Sequence, residues 1–330
     1  MNLAAKLRPI PATARITDPN HHVWCGSPVQ ADNGEWHLFA SHWPRTAGFE
    51  GWVTHSRIGR YVSESLFGPW RYAGVVLSPH DGDDWDAHVT HNPMAVRWQG
   101  GVALFYMGTR GSTGPDGPTF TPQDAVWWDF RNHQRIGVAV APAPDQPFVR
   151  LPQPVIDIAP GWRARMTSNP TVAVQPDGTL RMVFKAVADG KGHFGGEVVH
   201  GVAESASPTG PWTVMPEPTL RIPGVQFPAE DPCIWHQDHC WWMVAKDFHG
   251  HFTGAGTSLA LFMSADGRTW TPAPQPLVST LSLTWADGST MSVERLERPA
   301  VVCVHGKPVA LAVAVKHHDD TVLVQIPLAD

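Results

Sequence analysis

The densest chemical signal in the chain is Ala229-Glu230-Asp231-Pro232, two adjacent carboxyls ahead of a segment rich in Trp and Val. A carboxyl set among aromatic side chains loses solvation. Its pKa rises, and it can hold a proton for general-acid work near neutrality. A simple ion pair of Glu230 with Arg298 or Lys246 is the alternative role. Asp231 points away from Glu230 if both lie on a regular extended strand, which leaves it a second or a structural role. Acid–base chemistry of this kind uses a second carboxylate in a different environment. The candidates are Asp18, in Thr-Asp-Pro-Asn-His-His (17–22), and Asp86, in the acidic stretch 83–93. Asp81, Asp83 and Asp84 crowd Asp86, so a solvated acidic loop is the competing reading there.

Several other side chains fall near the same positions. His21, His22, His88, His91, His249 and His251 flank them, and Asp86, His88 and His91 together could ligate a metal. Their spacing matches no zinc pattern, so no metal and no cofactor is expected. Trp24, Trp43, Trp85, Trp127, Trp128 and Trp162 offer flat apolar faces of the kind that stack on a sugar ring. Arg45, Arg110, Arg165 and Lys185 could clamp hydroxyls or an anionic group, or merely balance nearby acids.

The elements that must position these residues repeat. Ser27-Pro28, Asn92-Pro93, Asn169-Pro170, Asp231-Pro232 and Arg298-Pro299 are spaced between 62 and 77 residues apart. Each is followed by a turn and then an apolar segment: 36–40, 102–107, 180–184, 241–245 and 309–315. Third apolar segments follow at 137–141, 199–203, 259–263 and 321–326. Gly68-Pro69-Trp70, Gln146-Pro147-Phe148, Gly210-Pro211-Trp212 and Trp270 occupy a fourth slot. Short β-branched and aromatic runs bounded by turns read as strands, and a unit recurring at this period reads as a repeat architecture. Five four-stranded antiparallel units form an all-β five-bladed propeller, with two stacked β-sandwiches as the alternative. One domain spans 1–330, with blades at about 18–80, 86–157, 165–222, 229–280 and 296–330. The segment 8–17 supplies the missing fourth strand of the last blade and closes the ring.

In such a ring the start of each innermost strand opens onto the central channel. Proline suits the first residue of a strand because it has no N–H to donate. Polar groups gathered there need partners or a ligand. The expected ligand-binding set is therefore Trp24, Ser27, Trp43, His91, Asn92, Asn169, Lys185, Asp231, Glu297 and Arg298.

Composition narrows the partners. Hydrophobic residues make up 42% of the chain, enough for a core, and the net charge of −6 with no basic run disfavours nucleic acid. No run approaches the roughly 20 apolar residues of a membrane helix. The first residues, MNLAAKLRPIPATARIT, hold no apolar stretch of signal-peptide length. A cytoplasmic chain is expected, or an exported one if a signal has been removed. Oligomeric state is left open. Cys25, Cys233, Cys240 and Cys303 form no Cys-x-x-Cys pair and are expected as buried free thiols.

The run from Glu230 to Met243, a Glu-x-Pro followed by an aromatic, a turn and further aromatics, resembles the acid-bearing segment of glycoside hydrolase family 43. It is also similar to the Glu-Cys-Pro motif of family 32, and families 62, 68 and 117 are more distant likenesses. The strings 24–28, 90–93, 166–170, 229–232 and 252–256 resemble a bacterial family-43-like group without an assigned substrate. The resemblance implies a carbohydrate substrate and a glycoside hydrolase acting on a terminal sugar, such as an arabinofuranoside. Glu230 would be the general acid, and Asp18 or Asp86 would activate water or attack the anomeric carbon. Family 43 sets an Asp where Ser27 stands and another where Asn169 stands, so only the acid keeps its place. A glycoside phosphorylase and a non-catalytic carbohydrate-binding propeller are the other readings.

Overall fold

The computed structural model describes residues 1–80, 82–112 and 120–329, so Asp81 lies outside the described residues. Five antiparallel four-stranded sheets stand around a central channel, the first four running in sequence order from inner to outer strand. Blade I holds His21–Gln30, Trp36–Pro44, Arg57–Ser63 and Arg71–Leu77. Blade II holds Val89–Trp98, Gly101–Thr109, Arg135–Ala141 and Val149–Arg150. Blade III holds Met166–Val174, Leu180–Val187, Val198–Ser205 and Thr213–Val214. Blade IV holds Ala229–Gln237, Cys240–Asp247, Ser258–Ser264 and Thr271–Ser279. Blade V holds Arg295–Val304, Lys307–His317 and Asp320–Pro327. Its outer strand is Arg15–Ile16, paired with Val324 and Leu323, so the expected closing segment does close the ring.

The fourth-slot aromatics latch each blade to the one before it. Phe148 of blade II packs edge-on against Phe39 of blade I, and Trp212 of blade III against Phe105 of blade II. Trp270 of blade IV is buried in a cluster with Val183 and Val202 of blade III. Trp70 of blade I donates its indole N–H to Gln325 of blade V at 3.0 Å. Large rings that bury much surface suit this position, because one side chain fills the wedge between two twisted sheets.

Every inner strand carries the same irregularity. Pairing with the second strand skips at 24/27, 91/94, 168/171, 230/233 and 297/300. The residue at each bulge is left-handed: Cys25 (φ 58°), Asn92 (52°), Asn169 (52°), Asp231 (56°) and Arg298 (52°). A bulge leaves one residue out of the ladder, and proline, lacking an N–H, fits the next position in four blades. Asn and Asp tolerate the left-handed conformation better than most side chains.

This corrects the repeat at blade I. The bulge there is Cys25-Gly26, with glycine where the others have proline, and Ser27-Pro28 lies two residues deeper. Ser27 Oγ accepts the Ala95 N–H at 2.9 Å and joins blades I and II below the mouth. The bulge also corrects Asp231. Alternation breaks there, so Glu230 and Asp231 face the same cavity instead of opposite sides.

Two insertions rise above the ring. Residues 45–56 of blade I carry the short helix Trp52–His55, and blade II carries the helix Ala125–Asn132. The two helices pack together through Val53, Trp127 and Phe130. None of the helices among the described residues is long and apolar enough to cross a membrane. The four cysteines are free; Cys25 and Cys233 are buried as expected, whereas Cys303 is exposed.

Candidate active site

The five bulges place one side chain each on the channel axis, and those side chains bond in series. Cys25 Sγ donates to Asn92 Oδ1 at 2.8 Å, Asn92 Nδ2 to Asn169 Oδ1 at 2.6 Å, and Asn169 Nδ2 to Asp231 Oδ1 at 2.7 Å. From the other side Arg298 Nη1 reaches the same Asp231 oxygen at 3.0 Å, and the Arg298 N–H reaches Oδ2 at 3.2 Å. Burial raises the pKa of the Cys25 thiol, which keeps it a donor. The five side chains are thus held by bonds to one another, with Arg298 Nε left buried and unpartnered, and form a floor. A cavity of 180 Å³ lies above it.

The residues one step toward the mouth carry the charge. Glu230 and Glu297 both line the cavity, with side chains 17% and 9% exposed. Each takes a lysine from the second strand of the preceding blade: Lys185 Nζ to Glu230 Oε1 at 2.5 Å, and Lys246 Nζ to Glu297 Oε1 at 2.5 Å. Their protonation is driven apart. Burial pushes Glu230 up, but Lys185, Lys246 and Arg298 outweigh it and hold the carboxyl well below its ordinary value. Burial also pushes Glu297 up; Lys246 opposes it only in part, and Asp231 and Glu230 add to the rise. The expectation that aromatic neighbours raise Glu230 is therefore overturned by its three cations, and Glu297 is the carboxyl whose pKa is raised.

Aromatic rings form the wall: Trp24, Trp43, Phe49, Trp52, Trp127, Trp128, Phe194 and Phe227. His91 is stacked on Trp52, with ring centroids 5.0 Å apart, and bonds Ser56 Oγ through Nδ1 at 2.7 Å. Burial, with Arg298 and Lys185 nearby, lowers its pKa well below the ordinary value, so it is neutral.

No protein-family model matches the chain, and no curated protein matches it. Solved structures do. A glycoside hydrolase superposes with a TM-score of 0.67 at 14% identity, over 99% of this chain and 92% of that one. An endo-arabinase from Bacteroides thetaiotaomicron gives 0.62 at 13% identity, over 98% of each chain. A family 117 glycoside hydrolase from the marine bacterium Zobellia galactanivorans gives 0.60 at 15% identity, over 94% and 86%. The fold is that of the five-bladed propeller glycoside hydrolases.

Within this propeller fold the mouth gathers most of the expected residues. Glu230, Asp231, Glu297, Arg298, Lys185, Trp24, Trp43, His91, Asn92 and Asn169 all line the cavity, with Trp127 and Trp128. Ser27 does not, for the reason given above. Neither proposed partner carboxylate reaches it. Asp18 accepts the backbone N–H groups of Asn20 and His21 at 2.7 and 3.0 Å and caps the turn into blade I. Asp86 is buried on the flank of blade II, where it accepts from Tyr106 Oη at 2.6 Å and Arg150 Nη1 at 3.2 Å. It is no solvated loop acid. Removing one member of a buried ionic cluster costs about 3–5 kcal/mol. Asp86→Ala is expected to lose that much stability in chemical denaturation while kcat/KM stays at the wild-type value.

Trp85 and Trp162 also serve packing. A Cβ on Gly137 would stand 2.5 Å from Trp85, and one on Gly201 2.5 Å from Trp162, so each ring lies flat on a third-strand glycine. Arg45 bonds the Asp18 and Asp319 carbonyls, Arg110 pairs with Asp83, and Arg165 with Asp189. Asp86, His88 and His91 do not converge: His88 accepts the Gly111 N–H, and no group of three or more potential metal ligands gathers among the described residues. Phe49, Trp52, Arg131, Gln134, Phe194, Phe227 and Arg295 complete the cavity and were not foreseen. Most sit in the insertions, where no strand periodicity marks them.

Proposed function

We propose that the protein is a glycoside hydrolase acting on a terminal sugar, with Glu297 as general acid and Glu230 as the ionised partner. The observation that carries this is the pair of carboxyls at one cavity floor whose environments drive their pKa values in opposite directions. Such divergence assigns acid and base in two-carboxylate sites. Glu297 gives its proton to the leaving glycosidic oxygen. Glu230, already ionised, takes a proton from the attacking water or attacks the anomeric carbon itself. The aromatic wall offers apolar faces for the sugar ring. A cavity of 180 Å³ falls below the roughly 300–1,000 Å³ of drug-sized sites, which favours one ring over a cleft for a chain.

The test is a panel of aryl glycosides, furanosides such as arabinofuranosides included, assayed with and without inorganic phosphate. Release of free sugar without phosphate supports the reading; no product from any glycoside or from a polysaccharide panel sinks it. The pH profile adds a residue-level check. Activity falls as pH drops through the depressed Glu230 pKa, and again as pH rises through the raised Glu297 pKa. Lys246 lowers both groups. Lys246→Met is expected to shift both limbs of kcat/KM upward in pH, the alkaline limb through Glu297. An unmoved alkaline limb would remove Glu297 from the role.

A further inference from the structure

The charged groups at the mouth pair off, and one is left over. Lys185 is bonded to Glu230, Lys246 to Glu297 and Arg298 to Asp231, and Arg295 lies 3.6 Å from Glu297 and 3.9 Å from Glu50. Arg131, on the blade II helix, has no carboxylate within ion-pair distance among the described residues. Only its Nη1 is engaged, donating to the Phe194 carbonyl at 2.8 Å and to Asn132 Oδ1 at 2.9 Å. Its guanidinium lies over the Phe194 ring, 4.8 Å from the centroid, and 5.7 Å from that of Trp128. The group is thus fixed in place and 6% exposed, and its side-chain hydrogen bonds among the described residues run from Nη1 alone.

A second unpaired donor stands beside it. Gln134 lines the same cavity, is 2% exposed, and its Nε2 has no acceptor among the described residues. A buried cation without a counter-charge and a buried amide donor without an acceptor are costly unless something else supplies them. Burial lowers the Arg131 pKa to about 10, with Glu230 opposing the fall, so the cation persists at neutral pH. Arg131 and Glu230 line the same cavity.

We propose that Arg131 and Gln134 form an oxyanion subsite that binds the carboxylate of an acidic sugar, so that the substrate is a uronide. This rests on the hydrolase reading and narrows its terminal sugar from any glycose to an anionic one. A carboxylate matches the guanidinium fork in shape and matches one uncompensated charge. Free phosphate shares the oxyanion chemistry but carries more than one charge near neutrality, more than Arg131 alone balances.

The experiment separates binding from turnover. Glucuronate, galacturonate, their methyl esters, glucose, galactose and inorganic phosphate are titrated into Glu230→Gln by calorimetry. The corresponding 4-nitrophenyl glycosides, both anomers, are assayed with the wild type. A uronate binding at least tenfold tighter than its methyl ester and its neutral parent, with the preference lost in Arg131→Met and in Gln134→Leu, is the expected result. Arg131→Lys restoring part of the preference would separate charge from folding damage. Equal binding of neutral and acidic sugars overturns the subsite, as does uronate binding that survives both substitutions. Phosphate-dependent turnover of neutral glycosides would assign the oxyanion to phosphate and overturn the uronide. Uronate binding without hydrolysis would sustain the subsite and sink the hydrolase; hydrolysis confined to neutral glycosides would do the reverse.

Discussion

Glu297→Gln is expected to lower kcat/KM by about 10²–10⁴-fold on a glycoside with a poor leaving group, the range a positioned general acid supplies. The substitution keeps the shape of the side chain and removes the titrating carboxyl, whose pKa burial raises. The loss should depend on the leaving group. A dinitrophenolate departs without help, so Glu297→Gln should recover most of its activity on dinitrophenyl glycosides. Its profile should also lose the alkaline limb. Glu230→Gln should be impaired on both kinds of substrate, because it removes the group that activates or delivers the nucleophile. Steady-state kinetics on the two leaving groups decides the matter. Recovery of Glu230→Gln instead of Glu297→Gln would return the acid to Glu230, where the resemblance to family 43 puts it.

The second large effect concerns stability. Asp231 is 3% exposed and receives donors from Asn169, the Arg298 side chain and the Arg298 backbone. Asp231→Asn keeps a residue that tolerates the left-handed bulge but leaves a buried guanidinium without its counter-charge. The expected loss is about 3–5 kcal/mol in denaturant unfolding. Arg298→Met should cost a similar amount, because it leaves the carboxylate unpaired. The double variant should lose clearly less than the sum, since the two groups form one unit. Strictly additive losses would show that the floor is not held by this pair. The comparison matters because Arg298, like Cys25, sits in a left-handed conformation without the local side-chain advantage of Asn or Asp.

The fold was legible because its signals are local. Apolar runs bounded by turns gave the strands, and an aromatic after each outer turn gave the latch. At blade I the same local reading went astray. Gly26 replaces the proline of the other bulges, and Ser27-Pro28 imitates the motif two residues later. Glu230 and Asp231 were read as pointing apart because strict alternation hides a bulge that only pairing reveals. The acid–base assignment was beyond local reading altogether. It depends on Lys185 reaching a residue 45 positions away and Lys246 one 51 positions away, contacts that exist only once neighbouring blades are docked. Glu297 thus appeared in the sequence only as a polar neighbour of Arg298. Half of the aromatic wall, Trp24, Trp43, Trp127 and Trp128, was legible by residue type, whereas Phe49, Trp52 and Arg131 lie in short insertions whose helices of four and eight residues leave too brief a pattern to be read.

The ring of five bonded side chains has a consequence for traffic. Beneath it the channel narrows to a 10 Å³ gap among Cys25, Ser27 and the bulge prolines, and a separate 560 Å³ hollow opens on the opposite face. The mouth is therefore a blind end. A chain cannot thread through the molecule by this route. On the proposed hydrolase reading, a freed sugar leaves by the entrance that the next substrate needs and competes with it for the same seat.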